Sequence, residues 1–307
     1  MSGKRGGKRK TKSTRNEVSE SKEKETTLNT LDIYDTKNIQ SHNPHNIIEI
    51  TTCQSSPFKT LIETLNGLLS DASIQFTKQG IYIREMDYPH SKIFMNLELY
   101  ADNFEQFYCR EDIIIGVKLG RLNQIIKTVG ANNILTLFMD ENDNNTKLGI
   151  SISNKDKNIK TNYKINLLDR NYESLDPIME EYPCIISMSA TYFQKICRDA
   201  GGLATKMNIT RPKDCLFIIF EFDGEHTDQE TIVGEAKDYL TFVKNDLSNE
   251  VINGNYELEQ LITFAKCTSI STNVKIHLSN KHPLMVEYQV GNLGIIQLTL
   301  NPLNQNI

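Results

Sequence analysis

Phe58-Lys-Thr-Leu-Ile-Glu-Thr-Leu-Asn-Gly-Leu-Leu69 carries apolar side chains at Phe58, Leu61, Ile62, Leu65, Leu68 and Leu69. Steps of three and four residues predict a helix with one apolar stripe, and Lys59, Glu63 and Asn66 fall on its opposite side. Around this helix the pattern changes to short alternating or apolar runs at 47–52, 73–76, 80–86, 92–99, 105–108, 112–118, 133–139 and 147–152. These read as strands joined by turn-rich segments, clearest at Asp140 to Asn145. A second helix interrupts them, with Leu122, Ile125, Ile126 and Val129 as its stripe. The later half repeats the plan: Phe193, Ile196, Cys197 and Ala200 mark one amphipathic helix, and Leu258, Leu261 and Ile262 another. Phe58 and Leu122 are 64 residues apart, and Phe193 and Leu258 are 65 apart. Two copies of one mainly antiparallel, two-helix unit follow, an α+β architecture with sheet on one side and helices on the other. The expected division is a tail over 1–45, one domain over 46–165, a connector over 166–183 containing Asp169, Asp176 and Pro177, and a second domain over 184–307.

Composition narrows the function classes. Of the 307 residues 38% are hydrophobic and 24% charged, and no apolar run reaches the roughly 18 residues that a membrane helix needs. Residues 1–45 are poor in large apolar side chains, so they read as a disordered tail, and they show no secretory signal pattern. Within them Lys4, Arg5, Lys8, Arg9, Lys10, Lys12 and Arg15 form a basic cluster of the nuclear-import or nucleic-acid type. The tail holds ten Lys/Arg against six Asp/Glu, whereas residues 46–307 hold 24 against 33. A net acidic body argues against broad coating of nucleic acid, so any such contact is local. The six cysteines lie far apart without a CxxC, which points to small core residues in a reducing compartment rather than a zinc or redox site. No HExxH, GxSxG, phosphate-binding loop or dinucleotide fingerprint is present. The acidic turn at Asp140, Asn142 and Asn144 resembles the start of a calcium loop, but Asn145 stands where Gly is needed and Ser151 where the bidentate Glu belongs. No catalytic residue, metal or cofactor is expected.

Four segments carry a family resemblance: Gly80-Ile-Tyr-Ile-Arg-Glu-Met-Asp87 with His90 following, Phe107-Tyr-Cys-Arg-Glu-Asp112, Tyr192-Phe-Gln-Lys-Ile-Cys-Arg-Asp199 and Pro283-Leu-Met-Val-Glu-Tyr288. In order and spacing the stretch from Ile48 to Pro302 resembles proliferating cell nuclear antigen, the eukaryotic and archaeal sliding DNA clamp. The resemblance implies a non-enzymatic DNA polymerase processivity factor acting in replication and repair. Three copies would close head to tail around duplex DNA, with two clamp domains per chain, sheets outside and helices lining the hole. It implies subunit edges near Asn158 to Asn166 and Thr231 to Ala236, and partners that include the polymerase and the clamp loader. The cations expected to face DNA are Lys59, Lys118, Arg121, Lys127, Lys195, Arg198, Lys206 and Lys266, while Asn66 and Glu259 stand where the family commonly has basic residues. A pocket for partner peptides is expected at Met86, His90, Ile93, Leu175, Pro283 and Pro302, with Thr299 and Leu303 replacing the usual aromatic and lysine. Lys213 falls where the family has a modifier-accepting lysine. The implied location is the nucleus or an intracellular viral replication site, since the Asn/Ile-rich composition and basic tail suit a divergent viral or protist version. A checkpoint-type heterotrimeric subunit, a non-trimeric viral processivity factor and an unrecognised enzyme are the competing readings.

Overall fold

A computed structural model describes residues 42–86, 93–154, 156–169, 180–246 and 250–303. The basic cluster of the tail, His90 and Leu175 lie outside these residues. The first half comprises β1 (Asn46–Thr52), α1 (Ser55–Leu68), β2 (Asp71–Phe76), β3 (Gly80–Met86), β4 (Ile93–Tyr100), β5 (Gln106–Cys109), β6 (Ile113–Lys118), α2 (Leu119–Ile126), β7 (Ile134–Asp140), β8 (Lys147–Asn154) and β9 (Ile159–Asn166). The second comprises β10 (Cys184–Ser189), α3 (Ala190–Ala200), β11 (Lys206–Arg211), β12 (Phe217–Asp223), β13 (Asp228–Gly234), β14 (Leu240–Asn245), β15 (Ile252–Glu257), α4 (Leu258–Phe264), β16 (Asn273–Leu278), β17 (Leu284–Val290) and β18 (Gly294–Leu300). Element by element the halves match.

The ladders repeat as well. The first half forms a five-stranded sheet, β5-β1-β7-β8-β9, and the second a four-stranded one, β13-β12-β11-β15. The remaining strands make a nine-stranded sheet, β14-β10-β16-β17-β18-β4-β3-β2-β6. Its first five strands are the second half's counterpart of the five-stranded sheet, and its last four are the first half's counterpart of the four-stranded one. The two halves therefore join edge to edge at β18 and β4, which pair antiparallel from Gly294 opposite Leu99 to Leu300 opposite Ile93. Gly294 is required at this junction, because a Cβ there would sit 1.9 Å from the Glu98 carbonyl oxygen.

Period-2 alternation buries one sheet face: Leu135, Leu137 and Met139 of β7 point into the core while their neighbours are half-buried. The helices cover that face. Phe58, Leu61, Ile62 and Leu65 of α1 and Phe193, Ile196, Cys197 and Ala200 of α3 are buried, as their spacing predicts. In α2 the helix stops at Ile126, and Val129 is buried beyond its end rather than on its stripe. Ser189 caps α3, its hydroxyl accepting from the Tyr192 N–H. The two halves also meet through the helix layer, where Thr64 of α1 and Ser269 bring their hydroxyl oxygens to 3.3 Å.

Candidate functional site

The helix layer presents a polar surface opposite its apolar stripes. Lys118, Arg121 and Lys127 are exposed in and around α2, Lys195 and Arg198 on α3, and Lys206 and Lys266 beside the same helices. Lys59 departs from the expectation of a free cation. Its Nζ donates to the Lys127 carbonyl at 2.9 Å and to the Val129 carbonyl at 3.4 Å, closing off the C-terminal end of α2. A cation there is favoured by the helix dipole and the unpaired carbonyls. Between α1 and α4, at the β18–β4 junction, a cleft of about 450 Å³ has an apolar floor of Leu68, Leu69, Ile93, Met95 and Leu298. Glu85, Glu257, Glu259 and Lys266 also line it.

That cleft corrects one sequence expectation. Ile93 belongs with Met95, Leu97 and Leu99 on the helix side of β4, so it cannot contribute to a pocket on the outer face with Met86. Alternation gives the outer position to Phe94. Register then lines up Met86, Phe94, Thr299, Met285, His277 and Ile185 in one row across β3, β4, β18, β17, β16 and β10. Pro283 and Pro302 are half-buried. Above the row, Tyr182 is 3% exposed and donates its hydroxyl to the Pro283 carbonyl at 2.9 Å. Its ring meets His277 edge-on at 5.3 Å and His282 at 5.8 Å. Burial pushes the Tyr182 phenol up to about 12. A cavity of about 370 Å³ opens beside it, lined by Asn96, Glu98, His277, Met285 and Gln297.

Next to the apolar row runs a polar one. Arg84 Nε donates to Asn96 Oδ1 (3.3 Å), Asn96 Nδ2 to Gln297 Oε1 (3.1 Å) and Gln297 Nε2 to Glu287 Oε2 (3.0 Å). Lys275 Nζ completes the chain on Glu287 Oε1 at 2.8 Å. Five strands and the junction between halves are thus crossed by continuous hydrogen bonding. Burial raises the Glu287 carboxyl, but the hydrogen bonds from Lys275 and Gln297 outweigh it and hold the group below its ordinary range. Burial lowers the His277 imidazole, against the pull of Glu287. None of these polar contacts was evident in the sequence; the alternation of 93–100 was the one signal that separated Phe94 from Ile93.

Two of the sheet edges are equivalent to the strands that pair at the β18–β4 junction. β9 ends the five-stranded sheet and β13 the four-stranded one. Most of β9 is exposed, with Lys160 and Lys164 along it, and β13 exposes Asp228, Glu230 and Ile232. Lys213 is exposed in the loop after β11, beside Asp214 at φ 54°. Among the described residues no cluster of His, Cys, Asp or Glu side chains converges as a metal site.

Comparison with known proteins agrees with this architecture. The model of the proliferating cell nuclear antigen N-terminal domain matches residues 47–174, and that of the C-terminal domain matches residues 178–303. A relative named "Probable DNA polymerase sliding clamp 1", from Paramecium bursaria Chlorella virus 1, is 26% identical over 263 residues, which cover 84% of this chain and 97% of the relative. With both domain models matched in order along a chain whose halves repeat one fold, the chain belongs to the proliferating cell nuclear antigen family of sliding DNA clamps.

Proposed function

We propose that three copies of this chain close head to tail into a ring around duplex DNA, and that the ring tethers a DNA polymerase and other partner proteins to it. The observation that carries the ring is the equivalence of its edges. The ladders β6-β2-β3-β4 and β15-β11-β12-β13 run in step from the starts of α2 and α4, which equates Asn96 with Glu230. The ladders β7-β8-β9 and β16-β17-β18 likewise equate Gln297 with Asn162. Since Gln297 faces Asn96 within the chain, Asn162 faces Glu230 between copies. The same register sets Tyr163 opposite Gln229 and Lys164, whose ammonium also pairs with Asp143 of its own chain, opposite Asp228. The joint so formed continues a nine-stranded sheet like the one inside the chain, and covers the edges of β9 and β13. Each edge fits the other and not itself, because β9 carries the lysines and β13 the acids; a heterologous contact of this kind builds rings.

The chain acts by binding and turns over no substrate in this reading. Helices face the hole, where cations meet phosphates without reading bases. On the outer face the row from Met86 to His277, with Pro283, Pro302 and the expected His90 and Leu175, receives partner peptides. The clamp loader, modification at Lys213, and a site of action in the nucleus or a viral replication compartment belong to the same proposal. Light scattering on the full chain at micromolar concentration tests the ring: the expected mass is three times 35.1 kDa. A stable monomer would refute it, and a larger mass only with a paralogue would favour a heterotrimeric clamp.

A further inference from the structure

The two kinds of joint in such a ring are not equivalent in charge, and the internal repeat makes the comparison residue by residue. Inside the chain, α1 and α4 flank the β18–β4 junction and border the cleft there. Between copies, the equivalent helices are α3 of one chain and α2 of the next. The buried stripes align Phe58 with Phe193 and Leu61 with Ile196, so Glu63 of α1 corresponds to Arg198 of α3. Ladder register equates Asp71 with Lys206 and Glu257 with Lys118. One turn into the paired helices, Gln260 corresponds to Arg121 and Glu259 to Gly120. Each acid at the chain's own junction becomes a cation or a neutral residue at the subunit joint. Lys127 keeps the cation of Lys266; on the helix side Asp199 takes the place of Thr64, and on the paired strand Glu230 and Asp228 take the places of Asn96 and Phe94.

We propose that duplex DNA is the counter-ion of the subunit joint: its phosphates bridge α2 of one copy and α3 of the next and hold the ring closed. This rests on the ring reading above and adds a regulation to it. The inner lining alternates between three basic sectors at the subunit joints and three acidic sectors at the junctions within the chains. Without DNA, Lys118, Arg121 and Lys127 confront Arg198 and Lys206, and their repulsion favours opening at low ionic strength. With DNA, phosphates replace that repulsion by attraction. Whatever binds the closed ring better than the open one shifts the equilibrium toward closure, and the ring in turn binds DNA more tightly for being closed. The sector at β18–β4 contributes little to closure, because Glu257 and Glu259 offset Lys266 there.

Subunit exchange between donor- and acceptor-labelled full-length chains, read by energy transfer, tests this at low salt with and without a blunt-ended duplex. In the parent the duplex is expected to slow exchange about tenfold, a rise of about 1.4 kcal/mol in the barrier to opening. Arg198→Glu and, independently, Lys118→Glu turn repulsion into attraction across the joint. Each should exchange more slowly than the parent without DNA and lose most of the response to duplex, with the differences vanishing in high salt. Glu259→Lys, at the internal junction, should tighten DNA binding and leave DNA-free exchange unchanged. The proposal is overturned if duplex binds the parent without slowing exchange, or if both reversal variants exchange faster than the parent. Failure to form any exchanging oligomer is a separate result, which removes the ring itself.

Discussion

Replacing Glu287 by Gln removes the charge at the centre of the polar row, and the structure sets the size of the effect. The Glu287 side chain is 10% exposed and accepts from Lys275 and Gln297. A hydrogen bond to a buried charged group contributes about 1.5 to 3 kcal/mol. The Lys275 side chain is 45% exposed and regains water once released, so its share is discounted. The expected loss is about 2 to 3 kcal/mol, or roughly 4 to 8 °C in Tm for a chain of this size. The pH dependence carries the sign. The folded carboxyl titrates below its ordinary 4.5, so its stabilisation is complete above 4.5 and is lost as pH falls through the folded value. Urea denaturation of parent and variant, at one fixed protein concentration so that any assembly contributes equally, should show the full gap at pH 7 and a narrowing gap below 4.5. A gap under about 0.5 kcal/mol at neutral pH, or one that stays the same into acid, would refute the assigned role of this carboxylate.

His277→Gln should flatten the stability profile below pH 6.5, because an imidazole held neutral by burial makes the unfolded state take up protons first as pH falls; an unchanged slope between pH 5 and 6.5 counts against it. Phe94→Arg should weaken a peptide of the clamp-binding pattern (Gln, two spacers, an aliphatic residue, two spacers, two aromatics) by about 2 kcal/mol or more in calorimetry. Ile93→Arg should instead lower Tm, since it places a charge on the helix side of β4; equal effects of the two on peptide binding would contradict the assignment of faces. Arg121→Glu and Lys127→Glu should each flatten the log–log salt dependence of DNA binding by about 0.9 per lost phosphate contact, alike for unrelated duplexes. Lys59→Ala should leave that slope unchanged and loosen the end of α2, which hydrogen exchange at Lys127 to Val129 would report.

The duplication, the four helices and most strands were legible in the sequence because each rests on a local period. Phe58, Leu61, Ile62 and Leu65 recur as a helix demands, and a solvated helix face has no other way to bury them. The spacing of the helix pairs then exposed the repeat. Beyond that reach, long-range pairing took over. Side chains alternate between faces with period 2, so a shift of one residue decides whether Ile93 or Phe94 lies on the helix side, and the burial of Ile93 with Met95, Leu97 and Leu99 decides it. The helical wheel set Lys59 opposite the apolar stripe, yet the side chain is half-buried and its ammonium is committed to carbonyls 68 and 70 residues away. The hydrogen-bonded row from Arg84 to Lys275 joins residues of both halves, none adjacent in sequence, that come together only when β18 lies beside β4. Periodicity determined which residues are buried; the order of strands in the sheets decided which buried and polar groups meet.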